Sequence, residues 1–250
     1  MRLQAATASG VRRVEGRATH LTVEGVDLYL PDGQPLIANV NLSLRRGDTV
    51  LLGGASGSGK STLVRAIAGI WPVRAWRDPR RAGRRVLFLP QRPYLPIGTL
   101  RDVVSYPMPG RRCGRRDSAR GARGRGLPEL AGRLDEAAHW ALQLSPGEQQ
   151  RIAFARALVQ KPDWLFLDEA TSAVDEATEA RLYRLVRERL PETTVFSIGH
   201  RATLRPFHAR RLMVQPSAKR PRLHRNSRRD RDRADMVPVV VDSDSYAAPR

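Results

Sequence analysis

Residues Gly54-Ala55-Ser56-Gly57-Ser58-Gly59-Lys60-Ser61 satisfy GxxxxGK[ST] in full, and Thr62 follows directly. They lie between a short apolar stretch, Thr49 to Leu52, and an apolar-periodic run through Leu63, Ile67 and Ile70 that stops at Trp71-Pro72. Strand, loop, helix is the context in which such a loop holds phosphate. Its glycines let successive N–H groups converge on phosphate oxygens at the positive end of the new helix. Lys60 then reaches the β and γ phosphates, and Ser61 can ligate Mg²⁺. A merely flexible Gly/Ser loop would not call for Lys-Ser-Thr at a helix start just after a buried strand. The loop leaves the reaction open, because unrelated chemistries share it.

The rest of the chain alternates strand and helix. Residues 21–30 and 38–44 alternate loosely and end in turn residues, which predicts an antiparallel β opening. Residues 86–89, 163–167, 194–198 and 211–214 are short apolar runs of the buried-strand kind, and residues 146–160 and 176–190 carry helical patterns. An α/β fold follows: a P-loop NTPase core with a mainly parallel sheet covered by helices and an antiparallel β subdomain at the N-terminal side.

Asp168 and Glu169 close the apolar run DWLFL, so two carboxylates stand at the carboxyl end of a sheet strand, where open α/β folds bind ligands. One acid can hold Mg²⁺ through water while its neighbour, pointing elsewhere, deprotonates the attacking water. The alternative is an acid pair stabilising the dipole of a following helix. Upstream, Ser145 is a natural N-cap, Pro146 suits the first helical position, and Glu148 completes Ser-x-x-Glu, which is a capping box.

The ordered set of Gly54 to Ser61, Gln91, Leu144 to Gln150, Asp168-Glu169, Ser172-Ala173-Val174-Asp175 and His200 resembles the nucleotide-binding domain of an ATP-binding cassette (ABC) transporter. The wording AGIWP, VLFLPQRPYLPIGTLRD, LSPGEQQRIAFARAL and TVFSIGHR is similar to peroxisomal fatty-acyl half-transporters and to bacterial relatives that fuse a membrane domain to one cassette. The resemblance covers about residues 21–215. It implies that Glu169 is the general base and that Asp168 positions a metal-bound water. It also implies that Gln91 links γ-phosphate and Mg²⁺ to the membrane domain and that His200 contacts the γ-phosphate. Ser145 and Gly147 would touch ATP held by a second, head-to-tail cassette, so a homodimer is expected and a lone cassette should hydrolyse poorly. Without the family, His200 reads as a histidine at a strand end and Gln91 as a solvated loop residue.

Two positions depart from that pattern. Pro146 replaces the first glycine of the signature and removes an N–H. The position where the family often stacks adenine on an aromatic ring is Leu30, with Tyr29 on the other side of the strand.

The net charge of +19 would ordinarily point to nucleic acid or an anionic surface. Its location argues otherwise: residues 73–85, 110–126 and 216–235 have nets of +5, +6 and +5, which is +16 of the total. Residues 110–126 offer only Cys113, Ala119 and Ala122 among Arg and Gly, so no apolar helix face can form where the family carries amphipathic helices. These Arg-rich pieces and the tail after about Ser217 are expected to derive from local reading-frame shifts. An Arg/Gly nucleic-acid arm is the rival, but it lacks interleaved aromatics for base stacking, so nucleic acid is an unlikely partner.

The domain organisation read from the chain is a linker over 1–20, a cassette over 21–215 with a helical subdomain at about 100–145, and a disordered basic tail over 216–250. The lone Cys113 excludes an internal disulfide framework, and the five histidines show no paired ligand spacing. No stretch approaches the roughly 18 apolar residues needed to cross a bilayer. The expectation is therefore a Mg-dependent ATPase with ATP and Mg as cofactors. It would sit at the cytoplasmic face of a membrane through a transmembrane permease domain, fused upstream or separate. A soluble cassette ATPase acting on nucleic acid, or a decayed cassette that binds ATP without coupling, are the competing classes.

Overall fold

The computed structural model describes residues 20–29, 35–70, 85–107, 130, 132–214 and 237–242. The Arg-rich segments 73–85 (except Arg85) and 110–126, the linker 1–19 and the adenine-side position Leu30 lie outside them. In chain order the elements are β1 (His20–Tyr29), β2 (Pro35–Arg45), β3 (Thr49–Gly54), α1 (Lys60–Ile67), β4 (Val86–Leu89), β5 (Gly98–Thr99), α2 (Leu100–Ser105) and β6 (Ala137–Ala138). There follow α3 (Trp140–Gln143), α4 (Pro146–Gln160), β7 (Trp164–Asp168), α5 (Glu176–Arg189), β8 (Thr194–Ile198), a 3₁₀ turn (Ala202–Phe207), β9 (Arg210–Val214) and β10 (Val237–Asp242).

Five strands, in the order β9-β3-β8-β7-β4, form a parallel sheet, and β1 pairs antiparallel with β2 at the other end of the same eight-stranded sheet. The mainly parallel α/β core with an antiparallel N-terminal part is thus the architecture observed. Period-two alternation sends consecutive residues to opposite faces. Val50, Leu52, Trp164, Phe166, Phe196 and Ile198 pack on the face shared with β1, β2 and α1. Leu51, Leu165, Leu167 and Val195 pack on the opposite face under α4 and α5. Strands buried on both faces read as continuous apolar runs, which is why β7 and β8 were legible. A third cluster, which includes Leu95, Leu100, Val103, Leu130, Trp140, Leu144 and Ile152, gathers the short helices around α4.

α1 ends earlier than Trp71-Pro72 would place it. Gly69 adopts φ +72, its N–H donates to Ala66 O (3.0 Å), and the Ile70 N–H donates to Arg65 O (2.8 Å). This paired bond pattern is a Schellman stop that a glycine in the left-handed region permits, so the proline is not what terminates the helix.

The tail expectation changes for six residues. Val237–Asp242, inside the stretch expected to be disordered, forms β10, antiparallel to β9 and parallel to β2 at Val237 and Pro238. The short β-branched run is too small for a core of its own. It bridges two existing edges instead, where main-chain pairing is available on both sides.

β8 is anchored from below by a buried polar chain. Tyr183 OH donates to Ser197 Oγ (3.3 Å), His208 Nε2 lies 2.8 Å from that same oxygen, and His208 Nδ1 lies 2.8 Å from Leu204 O. A neutral ring donating from Nδ1 satisfies every partner. Burial, helped by nearby Arg187 and opposed by the Leu204 carbonyl, lowers the His208 pKa from 6.5 to about 4. An unfolded histidine takes up its proton near 6.5 while the folded one stays neutral to about 4, so the unfolded state binds the extra proton between those values. This contribution is complete above the unfolded value and is lost as pH falls toward the folded one, by about 3 kcal/mol in all. Denaturant unfolding from pH 7 to 4.5 should show that slope in the wild type and a flatter one in His208→Gln.

Candidate active site

The phosphate loop is shaped by close approaches that only glycine tolerates. Gly54 sits at φ +137, where a Cβ would meet Val214 O at 2.7 Å, and Gly59 sits at φ +86 against Leu36 and Ile37. These two positions turn the chain out of β3 and into α1. Between them Ser58 N–H donates to Ala55 O (3.3 Å), and Ala55, Ser56 and Gly57 lie on the exposed rim. The Ser58 hydroxyl is buried and has no hydrogen-bond partner within the described residues.

Lys60, Ser61 and Thr62 open α1. The buried Lys60 curls back over the loop, its Nζ donating to Gly54 O (3.0 Å) and Ala55 O (2.7 Å). Burial lowers the Lys60 pKa from the usual lysine value, and the Glu169 and Asp168 carboxylates oppose that shift. Ser61 Oγ donates to Asp168 Oδ1 (2.8 Å), and Arg65 approaches Asp168 Oδ2 at 3.5 Å. Asp168 is 5% exposed, so its charge is compensated by these two neighbours from α1.

Glu169 breaks from β7 at φ +51, an uncommon value for a residue with a Cβ. Its N–H still donates to Ile198 O (3.2 Å). The left-handed turn sends the side chain away from Asp168 to His200, whose Nε2 lies 3.1 Å from Glu169 Oε1. The two adjacent carboxylates thus face different partners, as a division of labour between them requires. Ser61, Arg65, Gln91, Asp168 and Glu169 line one cleft of about 370 Å³. The Ser61 hydroxyl, the Gln91 amide oxygen and the Asp168 carboxylate in this cleft form an oxygen-donor set that fits a hard cation beside a phosphate.

Ser145 and Gly147 lie elsewhere. Ser145 caps α4 as predicted: its N–H and Oγ donate to Glu148 Oε2 (2.9 and 2.6 Å), and Glu148 N–H donates back to Ser145 Oγ (3.4 Å). These bonds hold the Glu148 carboxyl below the usual range. Such a cap is worth about 0.5–2 kcal/mol to the helix. Gly147 is pressed against the 172–175 segment, where a Cβ would stand 3.0 Å from Ala173 O. Within the described residues neither makes a hydrogen bond to the phosphate loop of its own chain.

Gln150 was not assigned a role from sequence, yet it ties the pieces together. Its Nε2 donates to Gln91 O (2.9 Å) and Ser172 Oγ (3.1 Å), and its Oε1 accepts from Ala173 N–H (2.9 Å). A buried amide inside an otherwise apolar helix face was the available signal.

A family model described as "ABC transporter" matches residues 37–172. An "Uncharacterized ABC transporter ATP-binding protein" of Haemophilus influenzae is 45% identical over 184 residues, covering 73% of this chain and 31% of that protein. The human "Lysosomal cobalamin transporter ABCD4" is 37% identical, over 81% of this chain and 36% of its own length. "ABC transporter D family member 1" of Dictyostelium discoideum is 34% identical, over 76% and 27%. The chain therefore spans about a third of the length of the curated relatives it matches. The structure of a bacterial Atm1-family ABC exporter with ATP bound superposes with a TM-score of 0.69 at 23% identity, covering 85% of this chain and 40% of that one, a likeness of fold. No helix among the described residues is long and apolar enough to cross a membrane.

Proposed function

Because the chain belongs to the ABC transporter family of ATP-binding proteins, we propose that it is a Mg-dependent ATPase that works as a head-to-tail dimer. Hydrolysis powers transport through a membrane domain outside these 250 residues, and the cassette sits at the cytoplasmic face of that membrane. The observation that carries this reading is the pair of contacts at adjacent strand ends: Ser61 to Asp168 at 2.8 Å and Glu169 to His200 at 3.1 Å.

Each side chain has a separate task. The amides from Ala55 to Ser61, with the Ser58 hydroxyl, hold phosphate oxygens at the start of α1, and Lys60 leaves its two loop carbonyls to join them. Ser61, Gln91 and Asp168 would hold Mg²⁺, which supplies charge neutralisation to the β and γ phosphates when bound. Glu169 accepts the proton of the attacking water, and His200 orients that carboxylate while presenting its ring to the γ-phosphate. Ser145 and the Gly147 N–H would close over the nucleotide of the second copy, since among the described residues neither bonds to its own loop.

Phosphate release by the full chain, followed against protein concentration, tests the reading. Specific activity should rise with concentration as dimers form and should vanish with EDTA. Activity independent of both concentration and metal would overturn it.

A further inference from the structure

The segment Ser172–Val174 has almost no regular structure, yet its main chain is held from two sides by side chains. On one side Gln150 accepts from Ala173 N–H. On the other, the residue after His200 grips the same turn: Arg201 Nη1 donates to Val174 O (2.7 Å) and Nη2 to Ser172 O (3.2 Å). Arg201 is itself fixed by Glu179, whose Oε1 stands 3.5 Å from Nη1. Glu179 is 1% exposed and accepts from Thr171 Oγ1 and Thr203 Oγ1, both at 2.7 Å. Two peptide units, 172–173 and 174–175, thus depend on a planar fork and an amide. A lysine in place of Arg201 offers one point charge where two diverging carbonyls must be reached.

We propose that Arg201 is a positioning residue that locks the 172–174 turn against the strand end bearing His200, so that His200, Gln91 and the Ser145 end of α4 keep one fixed spacing. The proposal rests on the ATPase reading above for its catalytic consequence, but not for its structural half. The turn receives Gly147 at a 3.0 Å approach and shares Gln150 with the Gln91 carbonyl. Loosening it therefore misaligns the groups meant for the second copy while leaving the phosphate loop, built from β3 and α1, intact.

Arg201→Lys in the full chain separates these effects. ATP binding at the phosphate loop should change by less than about twofold, while kcat falls at least about tenfold and KM holds. Gln150→Ala should act on the same turn, so the double variant should be little worse than the poorer single one. Amide exchange at Ala173 and Val174 should accelerate in Arg201→Lys, with β3 and β8 unchanged. Wild-type kcat in Arg201→Lys, a rise in KM alone, multiplicative effects in the double variant, or unaltered exchange at 173–174 would each overturn the proposal. A wild-type chain without Glu169-dependent hydrolysis sinks the ATPase reading instead, and the exchange measurement then still decides whether Arg201 holds the turn.

Discussion

Replacing Glu169 with glutamine is expected to cut ATP hydrolysis by roughly 10²–10⁴-fold, the usual contribution of a positioned general base, while nucleotide binding persists. The change is nearly isosteric and keeps the backbone at φ +51, so the strain of about 1–3 kcal/mol that a left-handed non-glycine residue carries is the same in both proteins. Only the proton acceptor is lost. The contact with His200 at 3.1 Å survives, because the glutamine Oε1 still accepts. Asp168 is unaffected, since it is held by Ser61 and Arg65 from α1 and not by its neighbour in sequence. Single-turnover phosphate release alongside equilibrium binding of a fluorescent ATP analogue separates the two effects. Hydrolysis at the wild-type rate would remove Glu169 from the chemistry.

Lys60→Ala should act one step earlier and weaken ATP binding itself. In the free chain the Lys60 ammonium satisfies two loop carbonyls, and its pKa is lowered chiefly by burial. Two charge-assisted bonds to phosphate, at about 1.5–3 kcal/mol each, correspond to roughly 100-fold or more in Kd. Folding should survive, because the carbonyls freed lie on the loop and the core under α1 is made by Leu63, Val64 and Ile67. Isothermal titration with ATP and Mg²⁺, paired with circular dichroism, reads both. Wild-type affinity in a folded Lys60→Ala chain would mean that phosphate does not dock on this loop.

The two variants lie on parts of the chain that differ in how they could be read. The loop from Gly54 to Ser61 and the capping box at Ser145 are each contiguous in sequence, and each sets a helix start with residues only a few positions apart. The doubly buried strands β7 and β8 were also legible, because a strand covered on both faces needs an unbroken apolar run. The short β10 was not, since five apolar residues in a polar tail become a strand only when two edges are open to receive them.

What the sequence determined by itself is local: where phosphate-binding amides converge, where helices start, and which strands are buried. Those features depend on backbone dihedrals and periodicity over fewer than about a dozen residues. Tertiary structure alone decided that Asp168 turns to α1 while Glu169 turns to His200, and that Gln150 and Arg201 clamp one turn between them. Those partners are separated by 23 to 107 positions. Such contacts exist only once the parallel sheet has aligned the ends of β3, β7 and β8, because a hydrogen bond depends on distance and angle in space and on neither in the chain.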